Sequence, residues 1–114
     1  MINNLFSYII LTSGLVFCLA GLIMKYFPPK KINSFYGYRT KSSMRNQKSW
    51  NFAQNKSSEL MQKFSFYQII LGLISFAFNP SLNISIIAGI IITILNPLIQ
   101  IIKIEKLLSG NKFM

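Results

Sequence analysis

A chain of 114 residues with a mean hydropathy of +0.44 and 52% hydrophobic residues has room for one domain. Charged residues make up 12% of it, against about 25% in a soluble domain, and 12 Lys and Arg outweigh two acidic residues to give a net charge of +10. The sequence contains no His and no Asp, which excludes a His/carboxylate metal cluster and a Ser-His-Asp triad; no enzyme, metal or cofactor is expected.

The first predicted element spans residues 5–26, an apolar run interrupted by Ser7, Thr12 and Ser13. About 20 apolar residues cross the roughly 30 Å hydrocarbon core of a bilayer. A cleaved signal peptide is the competing reading. Residues 1–4 carry no charged side chain and Lys25-Tyr26-Phe27-Pro28 makes a poor cleavage site, so a retained helix is expected. Gly14, Cys18 and Gly21 fall near one face of this helix and permit close helix approach, either inside the bundle or in a homo-oligomer. Cys18, the sole cysteine, reads as a small buried hydrophobe.

Residues 28–59 differ from the rest. Pro28-Pro29 ends the first helix, since neither ring can donate a backbone hydrogen bond. Lys30 and Lys31 follow at headgroup depth. Residues 33–40 form a compact loop candidate: Gly37 permits positive φ, and Tyr36 and Tyr38 beside it suit a membrane interface. Arg39 is suited to a bidentate contact with a phosphate or carboxylate, although as one more positive-inside charge it needs no further explanation. Ser42 or Ser43 is the expected N-cap of a helix beginning near Met44. Trp50, Ala53, Ser57, Leu60 or Met61, and Phe64 recur at helical spacing, which predicts an interfacial helix running into the second span with Trp50 as its interfacial anchor.

The second span is expected over 60–78, stopped by Asn79-Pro80, and the third over 82–102. In lipid the backbone must satisfy its own hydrogen bonds, so the Ile-rich third segment is also helical. Asn96-Pro97 should kink it. The spans contain polar Gln68, Ser75, Thr93 and Asn96 but no deep charge, which argues against a proton-coupled exporter. Lys25, Lys30, Lys31, Arg39, Lys41, Arg45, Lys48, Lys56 and Lys63 lie between the first two spans, Lys103, Lys106 and Lys112 follow the third, and residues 79–81 are uncharged. The positive-inside rule therefore puts the long loop and the C-terminus in the cytoplasm, with the N-terminus and the 79–81 turn outside. The same rule accounts for the basic charge without direct nucleic-acid binding.

The pattern Ile32-Asn33-x-x-Tyr36-Gly37-Tyr38-Arg39-Thr40-x-x-Ser43-Met44-x-Asn46-x-x-x-Trp50-x-x-Ala53 resembles the signature of the SdpI-like family, bacterial membrane proteins related to the immunity protein for the sporulation-delaying toxin. One hydrophobic helix precedes the motif and two follow, as in short members of that family. The resemblance implies an all-α integral membrane bundle of three transmembrane helices in the bacterial plasma membrane. It also implies immunity to a secreted hydrophobic peptide toxin, and recruitment of a cytoplasmic regulator as in the immunity prototype. Carried over by position, Asn33, Gly37, Arg39, Thr40, Ser43, Asn46 and Trp50 are the family-motif residues, and the resemblance implies a functional or architectural-core role for Arg39 and Trp50 in place of a topological one. The alternative reading is a sequestering module whose basic loop recruits a protein partner or anionic lipid.

Overall fold

The computed structural model describes residues 4–78 and 80–110. Asn79 of the expected span stop and Lys112 of the basic tail lie outside the described residues. Among the described residues there are three helices: α1 (Leu5–Tyr26), α2 (Gln47–Ser75) and α3 (Leu82–Leu108). The longest dimension of the molecule is 49 Å, close to the roughly 40–45 Å of a bilayer with its headgroups.

The helices are arranged with polar side chains inside and apolar side chains outside. Ser7, Gln54, Ser58, Ser65, Gln68, Ser85, Asn96 and Gln100 are buried, whereas Leu15, Leu19, Ile74, Ile87 and Ile94 are each more than half exposed. In water this pattern would be unstable, because the apolar surface would drive association. In lipid it is the expected one. Hydrocarbon solvates Leu and Ile as well as a protein core does, so helices associate instead through small residues and interhelical hydrogen bonds.

Glycine sets the closest approaches. A Cβ at Gly14 would lie 3.1 Å from Ile69, one at Gly21 3.0 Å from Met61, and one at Gly72 2.8 Å from Leu11. The face of α1 that carries Gly14 and Gly21 therefore packs against α2 within the bundle. Cys18 is half-buried rather than fully buried. Ser7 bonds Ser75 near one end of the α1–α2 pair, and Ser58 Oγ donates to the Gly21 carbonyl at 2.9 Å near the other. The two helices run antiparallel with residues 58–75 beside residues 7–21. α3 packs with Gly89 against Ile9 and Thr93 against Ser13, at 3.1 Å between hydroxyls.

By length and composition, α1 and α3 are the helices able to cross a membrane. The N-terminal half of α2 is too polar to qualify, but its C-terminal half lies alongside α1 and so shares the layer that α1 crosses. The expected interfacial helix and second span are one continuous rod. Its N-cap is Asn46, whose Oδ1 accepts from Ser49 N, and not Ser42 or Ser43. Pro97 sits inside α3 without ending it, and α3 continues six residues past the expected span end at 102.

Candidate functional site

Residues 27–46 fold back across the end of the bundle where α1 ends, α2 begins and α3 ends. Each turn of this loop is fixed by a side chain. Asn33 Oδ1 accepts from the backbone N–H groups of Phe35 and Tyr36 at 2.9 and 2.8 Å, closing an Asx turn. The Tyr36 phenol then donates to the Phe27 carbonyl at 2.6 Å, tying the loop to the C-terminus of α1. Gly37 adopts φ +110°, and a Cβ there would meet Gln54 Oε1 at 2.6 Å and Pro29 Cγ at 2.7 Å. Glycine is required on both counts: the backbone region and the space.

The close approach at Gly37 lets Gln54 grip the next peptide. Tyr38 N donates to Gln54 Oε1 at 2.7 Å, and Gln54 Nε2 donates to the Tyr38 carbonyl at 2.8 Å. A buried side-chain amide thus satisfies both polar groups of one residue, as a neighbouring strand would. Beyond it, Thr40 and Ser43 are reciprocally bonded. Thr40 N donates to Ser43 Oγ at 2.8 Å, and Ser43 N donates to Thr40 Oγ1 at 3.1 Å. Trp50 is fully buried, and its indole N–H donates to the Pro29 carbonyl at 2.7 Å. The interfacial anchor expected at Trp50 from helical spacing is therefore corrected, and the architectural-core role implied by the resemblance fits its burial. The ring is a core element, held inside because the Pro29 carbonyl gives the indole N–H a partner there.

Glu105, near the end of α3, joins the third helix to the loop. Its Oε2 accepts from the Tyr38 phenol at 2.7 Å and from Thr40 Oγ1 at 3.0 Å. Burial, and then the hydrogen bond and charge of Glu105, push the Tyr38 phenol well above its usual pKa. Arg45 contributes a long contact of 3.5 Å to the Leu108 carbonyl, where the negative end of the α3 dipole favours a cation.

Six of the seven motif residues thus build the cap: Asn33, Gly37, Thr40, Ser43, Asn46 and Trp50. Arg39 stands apart. It is exposed, and among the described residues it forms no hydrogen bond or ion pair. The second acidic residue, Glu59, pairs with Lys56 at 3.6 Å on the surface instead. Gln54 and Glu105 are the cap residues that sequence reasoning did not single out; Tyr38, expected at a membrane interface, bonds to both. The available signal was Glu105 itself, one of two acidic groups in a basic chain.

A second set of polar contacts lies between the spans. Gln68 Nε2 donates to the Ile10 carbonyl at 3.1 Å and to Ser13 Oγ at 2.6 Å; Asn96 Nδ2 donates to Gln68 Oε1; Gln100 Nε2 donates to Asn96 Oδ1. This relay joins all three helices through neutral amides.

A polar-cored, apolar-skinned helical bundle with its long connection clamped onto one end defines a small integral membrane protein. The chain belongs to the SdpI/YfhL protein family, whose model matches residues 30–100, well over half of its length and all of the motif. Over 51 residues it is 51% identical to the uncharacterized protein YfhL of Bacillus subtilis (strain 168), a match that covers 45% of this chain and 46% of that relative. The chain therefore aligns with about half the length of the curated relative it matches. No solved structure matches.

Proposed function

We propose that this protein confers immunity to a secreted, membrane-active peptide toxin from within the bacterial plasma membrane, with the signature loop and C-terminus cytoplasmic and the N-terminus outside. Three things support the reading: family membership, the apolar outer surface, and the concentration of basic residues at the loop end of the bundle. The observation that carries it is the division of labour in the motif. Six residues fold the cap, and the seventh, Arg39, is left exposed with nothing in the described chain to hold. An exposed arginine on a scaffold this constrained has little structural duty, so its role lies in contact with another molecule. The protein acts by binding and not by catalysis. The bundle engages the hydrophobic peptide in the bilayer, and Arg39 engages either the peptide or a cytoplasmic regulator.

The test is survival of a toxin-sensitive bacterium that expresses the chain, challenged with secreted membrane-active peptides beside an Arg39→Ala strain matched for membrane level. Protection by the wild type and its loss in Arg39→Ala is the expected result. Protection undiminished by Arg39→Ala would remove Arg39 from the mechanism, and no protection across the panel would favour the second reading. That reading is a sequestering module, favoured by the exposed Lys30, Lys31, Lys41 and Arg45 around Arg39. It predicts an acidic partner recovered with the membrane and released by salt.

A further inference from the structure

A cavity of about 430 Å³ lies between α1 and α3 beneath the loop, with Ser57 and Met61 of α2 also lining it, within the roughly 300–1,000 Å³ range of small-molecule sites. Phe17, Ala20 and Ile23 form one wall, Pro97 and Ile101 the other, and Tyr36 to Tyr38 the roof. Ile23 and Ile101 are also exposed on the flank of the bundle, so the cavity opens toward lipid.

Its polar lining includes Ser57, whose hydroxyl donates to Met61 Sδ at 3.7 Å, and Gln100. Gln100 lines the cavity although the residue is only 5% exposed. The interhelical relay fixes which way its amide points. The Ile10 carbonyl can only accept, so Gln68 presents Nε2 to it and Oε1 to Asn96 Nδ2; Asn96 then presents Oδ1 to Gln100 Nε2. Gln100 Oε1 is left as an acceptor with no donor among the described residues. Three residues further along α3, Lys103 begins the charged end of the helix, so Gln100 sits near the depth of lipid glycerol groups. Arg39, one residue past Tyr38 of the roof, is an exposed cation without a hydrogen-bond or ion-pair partner among the described residues.

The occupant that fits these features has an alkyl chain, a hydrogen-bond donor at glycerol depth and an anion above it. We propose that this cleft binds an anionic lysophospholipid. Its chain lies between α1 and α3, its free glycerol hydroxyl donates to Gln100 Oε1, and its phosphate reaches Arg39. A diacyl lipid is the poorer ligand, because an ester oxygen in place of the hydroxyl would face the Gln100 oxygen with no proton between them. The inference does not depend on immunity activity.

Purified full-length protein titrated with palmitoyl lysophosphatidylglycerol, diacyl phosphatidylglycerol and palmitoyl lysophosphatidylcholine, with bound lipid counted by native mass spectrometry, tests it. The anionic lysolipid should bind about tenfold more tightly than its diacyl counterpart, the scale of one hydrogen bond that the diacyl lipid cannot make. Gln100→Leu should erase that difference, and Arg39→Gln should erase the preference for phosphatidylglycerol over phosphatidylcholine headgroups. Ala20→Phe and Ile101→Trp fill the cleft from opposite walls, and each should weaken lysolipid binding about tenfold with helical content unchanged. Two walls are tested so that a folding failure in one does not decide the matter. Equal binding of lysolipid and diacyl lipid, or lysolipid binding untouched by a folded cleft-filling variant, would overturn the proposal.

Discussion

At the residue scale, the motif positions differ in what each can tolerate. Gly37 has no room for change: its φ of +110° disfavours a side chain, and a Cβ would displace the Gln54 oxygen that holds Tyr38. Gly37→Ala should therefore cost about 2–3 kcal/mol, the strain of the backbone region plus a broken peptide grip. Thermal unfolding in detergent should show the loss, with proteolysis appearing first within 27–46. Trp50 is a milder case. Trp50→Phe keeps most of the ring but orphans the buried Pro29 carbonyl, and should cost about 1–3 kcal/mol. Trp50→Ala should cost about 3–5 kcal/mol, because a cavity is added. If Phe proved as stable as Trp in the same melt, the indole hydrogen bond would carry no weight in the cap.

At the element scale, the ends of α1, α2 and α3 are joined by side chains of the loop and not by packing between the helices alone. The link to α3 is Glu105 with Tyr38 and Thr40, and it has a pH signature. The folded Tyr38 phenol has a raised pKa, owing first to burial and then to Glu105, so the folded state holds its proton more tightly than the unfolded chain does. The resulting stabilisation is complete below the unfolded tyrosine pKa of about 10 and is lost as pH rises toward the folded value. Denaturant unfolding should therefore show stability falling above about pH 10. Tyr38→Phe should flatten that decline while lowering stability at neutral pH. A decline of the same slope in Tyr38→Phe would assign it to other tyrosines. This link also marks the limit of what the sequence disclosed. Apolar run lengths gave the three helices, and the spacing from Trp50 to Leu60 gave the buried face of α2, because both signals are local. The cap depends on pairs such as Tyr38 with Gln54, Trp50 with Pro29 and Tyr38 with Glu105, separated by 16, 21 and 67 residues. Periodicity says which face a residue occupies, not which distant partner waits there. For that reason spacing alone puts Trp50 at the interface and gives Glu105 no partner.

At the scale of the whole molecule, the bundle is asymmetric from end to end. α1 and α3 run in the same direction and α2 returns between them, so the loop and the end of α3 share one end of the bundle, with Pro80 to Leu82 at the other. The cationic side chains gather at the loop end, whereas Pro80, Ser81 and Leu82 are uncharged. Lys and Arg in short loops near the ends of membrane helices bias those loops toward the cytoplasmic side. Translocating a loop with this many cations is therefore far less favourable than translocating the turn. The bundle geometry fixes the two ends relative to each other, and the proposed orientation, with the loop end inside, rests on the positive-inside rule. Because Cys18 is the sole cysteine, the test is direct in a Cys18→Ser background. Ser34→Cys, on the exposed loop surface, should react with a membrane-impermeant maleimide only after cells are permeabilised, and Asn83→Cys, exposed at the start of α3, should react on intact cells. The reverse pattern would place Arg39 outside. That outcome would remove any cytoplasmic regulator from its reach and leave an extracellular ligand as what its exposed guanidinium meets.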